Sequence, residues 1–125
     1  MDNKEAFAEA LRARTKVASL RIIRLYQPLP RTGEAAVIGK QLLRAATSVA
    51  ANYRAACRGR SGAEWYAKIC ICVEEADETQ FWLELLGDAE IFPKAKLTSL
   101  EQEYLEIVSI LAAARKSYKS RSVNE

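Results

Sequence analysis

The residues best equipped for chemistry lie in CICVEEADE, positions 70 to 78. Glu74, Glu75, Asp77 and Glu78 crowd carboxylates together, and Glu74 and Glu78 stand one helical turn apart. Paired carboxylates can act as general acid and base, or hold a divalent cation through oxygen. Like charges on an exposed helix are more commonly a solvated or salt-bridged face. The expectation is therefore no catalytic residue, no metal and no cofactor. Cys57, Cys70 and Cys72 form no CxxC; Cys70 and Cys72, two apart on a helix, diverge and can neither chelate nor bridge easily. They read as small apolar residues in a reducing compartment. The chain has no histidine, which removes serine–histidine and cysteine–histidine nucleophiles and histidine-bound metals. The expectation is a protein that is not an enzyme.

A second stretch, KQLLRAATSVAANYRAACRGRS at 40–61, contains no acid. Lys40, Arg44, Thr47, Ala51, Arg54 and Arg58 recur at helical spacing along one narrow stripe. Extended by Arg60, these cations could follow the phosphates of RNA or DNA and release counterions. The competing reading pairs Arg44 and Arg54 with Glu75, Glu78 or Asp77, in the same chain or the next. Charge distribution supports either. Residues 1–60 carry 12 Lys/Arg against 4 Asp/Glu, residues 61–110 carry 3 against 11, and residues 111–125 carry 4 against 1. Ser48 and Asn52, four apart beside the stripe, could hydrogen-bond a ligand or an interface, and read more readily as polar glue that favours folding or assembly. No base-reading motif accompanies them.

These groups need elements to position them. With 125 residues, 5 glycines and 3 prolines, the chain fits one helical domain spanning residues 1–125. The spacing of apolar residues predicts helices over about 3–26, 33–58, 62–90 and 98–118, with a frayed polar tail at 119–125. Phe7, Leu11, Ala18, Ile22 and Leu25 mark the core side of the first, and Leu100, Tyr104, Ile107, Leu111 and Tyr118 that of the last. QPLPRTG breaks the first helix, SGAE at 61–64 predicts a capping box, and Thr98 or Ser99 is expected to cap the fourth. Glu75, Glu78, Ile71 and Trp82 fall off the core stripe of the third helix, and an apolar pair on an acidic side predicts a subunit contact. Matched helices with short connections predict an all-α, up-down-up-down antiparallel four-helix bundle. No run approaches a membrane span, and MDNKEAFAEALRARTK lacks the apolar core of a signal peptide, so the expected location is cytoplasmic.

Arg44-Ala45-Ala46, Ser48, Asn52, Gly59-Arg60 and Glu78 form a pattern with a recognisable likeness. The stretch RAATSVAANYRAACRGRSGAEWYAKICICVEEADETQFWLELL resembles four-helix-bundle proteins encoded within intervening sequences of bacterial 23S ribosomal RNA genes, which also carry a ribosomal-protein-like label. The likeness covers about residues 11 to 115. One departure stands out: the commoner form continues Asn-Ile-Ala-Glu-Gly, whereas here Asn52 is followed by Tyr53, Arg54, Ala55 and Ala56. The resemblance implies a closed bundle that assembles as a homopentamer. It also implies kinship with the accessory variability determinant of diversity-generating retroelements, a basic pentamer that works with a reverse transcriptase and nucleic acid. It implies no established activity. The leading expectation is an oligomeric, non-enzymatic interaction module offering a basic surface to RNA, DNA or a nucleic-acid enzyme. The alternative is a purely structural or protein-binding oligomer whose arginines are used in subunit contacts.

Overall fold

Four helices carry nearly all of the chain: α1 (Asn3–Tyr26), α2 (Gly33–Cys57), α3 (Gly62–Asp88) and α4 (Thr98–Asn124), with a short 3-10 turn at Lys94–Lys96 before the last. The computed structural model describes residues 2–124. Helices of 24 to 27 residues are roughly 36–40 Å long and match one another in length. Each packs against its successor and α4 returns to α1, while the backbones of the diagonal pairs stay more than 8 Å apart among the described residues. The result is an up-down-up-down antiparallel four-helix bundle.

Local chemistry sets the boundaries. Asp2 Oδ1 accepts the Glu5 N–H at 2.8 Å and opens α1, satisfying a donor the helix itself cannot. Pro28 and Pro30 forbid its continuation. Ser61 Oγ accepts the Glu64 N–H at 3.1 Å, as a capping box requires. The returning Glu64 carboxylate instead accepts from the Arg60 N–H at 2.6 Å, one residue earlier than the motif places it. α3 stops at Asp88, two residues short of the sequence reading; Glu90 turns left-handed at φ 60° and Ile91 donates back to Leu86 O at 3.0 Å. Neither Thr98 nor Ser99 caps α4. Thr98 Oγ1 donates to Lys94 O, and Ser99 Oγ accepts from Arg21.

The fourth helix also runs past its expected end, so residues 119–124 are helical rather than a frayed tail. KSYKSRS contains neither glycine nor proline to stop it. Tyr118, moreover, is anchored. Its ring lies 5.3 Å from Tyr66, stacked, and 5.6 Å from Trp65, tilted. Gly62 gives it room, for a Cβ there would fall 2.8 Å from Tyr118 Oη.

Ile22, Leu42, Ile69, Leu83, Ile107 and Leu111 fill the centre with at most 0% relative exposure. Each such side chain contributes about 1.5–3 kcal/mol relative to leaving it in water. Phe7 does not join them. It is 51% exposed, because the bundle opens at that end. The buried stripe of α1 begins at Leu11 and includes two hydroxyls, Thr15 and Ser19. Thr15 Oγ1 donates to Leu11 O at 2.9 Å; Ser19 Oγ donates to Thr15 O at 3.0 Å and across the bundle to Ala46 O at 3.2 Å. The α1–α4 seam is the sparsest of the four, and polar groups bridge it. Arg14 grips Glu103 with two hydrogen bonds of 2.8 and 2.7 Å and reaches Glu106 at 2.8 Å. Among the described residues no helix is long and apolar enough to cross a membrane.

Candidate functional site

The basic stripe divides in two when the third helix is laid beside it. Arg44 leans across the α2–α3 seam. Its Nη1 donates to Glu75 at 2.8 Å, its Nη2 to Glu78, and its Nε to Gln41 at 3.1 Å. Glu78 also accepts the indole N–H of Trp82 at 3.1 Å, which fixes the carboxylate from a second side. Arg44 is thus an intrachain clamp, although half of its side chain still meets water. Arg54 does not share its partners. Lys40, Arg54, Arg58 and Arg60 are exposed and make no ion pair among the described residues.

Ser48 and Asn52 serve each other. Asn52 Nδ2 donates to Ser48 O at 3.0 Å and to Ser48 Oγ at 2.9 Å, both half-buried within α2. Across from them the outer side of α3 carries a mixed acidic and apolar patch. Ile71 is 37% exposed and Phe81 51% exposed, and Phe81 meets Trp82 edge-on with centroids 4.9 Å apart. Sequence reasoning found Ile71 and Trp82 by their position off the core stripe and missed Phe81, though three-residue spacing from Glu78 puts it on the same side.

The cysteines are free thiols. Cys72 is buried, with its sulfur 3.6 Å from Val49 O, and burial pushes its thiol up to about 12. Cys57 lies instead at the open end, beside the Arg12 guanidinium. Among the described residues no three acidic, cysteine or histidine groups converge as a metal site.

Arg12 and Cys57 border a cleft of about 1190 Å³ between the start of α1, the α2–α3 turn and the end of α4. Lys4, Arg60 and Arg121 stand on its walls with Phe7 and Trp65. The sequence did not foretell this cleft. Its parts are dispersed over residues 2 to 122 and meet only when α2 and α4 finish at the same end.

These observations define a small all-helical bundle with intrachain ion-pair clamps and a largely unpaired basic face. The chain belongs to the 23S rRNA-intervening sequence protein family, whose model matches residues 11–113. It is also similar to a crystal structure from Bacteroides thetaiotaomicron VPI-5482, described as a protein with unknown function from the S23 ribosomal protein family. The two share 32% sequence identity and a TM-score of 0.78, over 87% of this chain and 97% of that one. No curated protein matches the sequence. Neither the family nor the solved relative is described as an enzyme.

Proposed function

We propose that the protein is a non-enzymatic, self-assembling interaction module whose basic face contacts the phosphate backbone of RNA or DNA. The observation that carries this reading is the exposure of Lys40, Arg54, Arg58 and Arg60 without carboxylate partners among the described residues. A cation already neutralised by an acid gains little from a phosphate; these four keep their charge available. Arg44 is left out of the contact set because Glu75 and Glu78 occupy it.

Self-assembly is supported by the α3 patch. Phe81 and Trp82 meet edge-on and Ile71 is exposed about three turns earlier on the same helix, with Glu74 and Glu78 between them; an aromatic pair of that kind is a typical interface anchor. The pentameric ring that the family resemblance implies would multiply a modest patch. At about +3 per chain, five copies hold roughly +15. Sedimentation should then give a particle of five 14.0 kDa chains. A nucleic-acid enzyme of the reverse-transcriptase kind is the protein partner such a surface would serve.

The test is binding to RNA and DNA across a salt series with Arg54→Glu and Arg58→Glu combined. The proposal expects affinity that falls steeply with salt, and a double variant that loses binding while its oligomer stays intact. The alternative, that the arginines lie in subunit contacts, expects the double variant to dissociate and the parent protein to ignore nucleic acid. That alternative draws support from Arg44, which shows α2 cations already committed to α3 acids.

A further inference from the structure

The open end of the bundle gathers charge in a way that no single stretch of sequence displays. Arg54, Arg58, Arg60 and Lys68 flank the turn between α2 and α3. Because α4 runs the same way as α2, its closing cations Arg115, Lys116, Lys119 and Arg121 arrive beside them. With Lys4 and Arg12 of α1, ten lysines and arginines stand at this end against Asp2, Glu5, Glu9 and Glu64 among the described residues. Two of these acids are committed locally: Asp2 caps α1 and Glu64 holds the Arg60 amide.

The cleft lies in the middle of this field. Phe7 stands at its wall with half of its surface in water, and Trp65 lies half-buried beside it. Trp65 packs against Tyr118, with ring centroids 5.6 Å apart, and both rings line the cleft. An exposed phenylalanine among cations is poorly explained by the core, which closes without it. A groove that pairs positive charge with aromatic faces is the physical signature of a site for unpaired nucleotides, whose bases present a π-face that a duplex hides.

We propose that this cleft binds single-stranded nucleic acid, with phosphates held by Lys4, Arg12 and Arg60 and an unstacked base laid against Phe7 and Trp65. The proposal rests on the nucleic-acid reading above and adds to it the strandedness of the ligand and the place of the base. The cleft is open to solvent and, at about 1190 Å³, has room for a nucleotide. Stacking on an aromatic face tolerates any base, so preference among bases should be slight.

The experiment uses the full chain with labelled single strands of about 12 nucleotides, RNA and DNA, and the matched duplex. Single strands should bind at least about tenfold more tightly than duplex at low salt. Phe7→Ala should cost single strands about tenfold, the loss of one stacked base, and leave duplex unchanged. In a Trp82→Phe background, Trp65 is the remaining indole, and its fluorescence should be quenched by a single strand and not by duplex. Equal affinity for both forms, unaffected by Phe7→Ala and abolished by Arg54→Glu with Arg58→Glu, would overturn the cleft and leave the backbone reading standing. Absence of all binding at low salt would overturn both.

Discussion

Arg44 and Arg54 lie ten residues apart on α2, which turns Arg54 about 80° round the helix from Arg44, and only Arg44 meets the acids of α3. Arg44 meets two carboxylates, but its side chain is 48% exposed. Water screens the pair, so Arg44→Ala should cost less than about 1 kcal/mol in urea unfolding. A larger loss would mean that the clamp is shielded, as it would be inside an assembly. Tyr104 presents the opposite case. Its hydroxyl is fully buried and makes no hydrogen bond. An unpaired buried hydroxyl opposes folding. Tyr104→Phe should therefore raise stability by about 1 kcal/mol, seen as a higher thermal midpoint. Destabilisation would reveal a hydrogen bond from that hydroxyl.

At the scale of elements, the end of α4 depends on one small residue of α3. Gly62→Ala would push a methyl into Tyr118, already held by Trp65 and Tyr66. The last turns should loosen, read as faster amide exchange over residues 114–122 with the rest of the bundle unchanged. The same contact explains why the helix was cut short in the sequence reading: Tyr118 looked like the last apolar residue of a stripe, whereas in space it is an anchor. Apolar periodicity was sufficient for four helices and their order, since Leu42, Ile69 and Ile107 each mark a face that must be hidden. It was insufficient for Phe7, whose spacing suits the core but whose position lies beyond it. Pairing is harder still to read. Arg44 and Arg54 belong to one basic stripe, and their rotation about α2 together with the register between α2 and α3 decides which one meets Glu75 and Glu78. The Arg14 clamp to Glu103 and Glu106 was likewise invisible, spanning about 90 residues of chain.

The whole molecule should tolerate alkali poorly. Burial raises the Cys72 thiol from 9.0 to about 12 and lifts the Tyr53 and Tyr104 phenols above their ordinary 10.0. Groups whose folded pKa is raised contribute stability that is fully present below the unfolded value and lost as pH climbs toward the folded one. Unfolding free energy should thus hold steady to about pH 9 and fall from there to pH 12, and Tyr104→Phe should make the fall shallower. On the acid side Glu106 is held below its ordinary value, first by Gln102 and then by Arg14. Its contribution is present above the unfolded value and fades as pH drops through the folded one.

The crowding of cations at one extremity gives the bundle an electric polarity along its length. Rotational symmetry cannot cancel an axial vector, so copies arranged around a common axis with their long axes parallel to it all aim the charged extremity the same way. Such a ring has a cationic rim and an opposite rim of mixed sign. Two such rings would repel when brought cationic rim to cationic rim, which leaves head-to-tail stacking or pairing through the mixed rims.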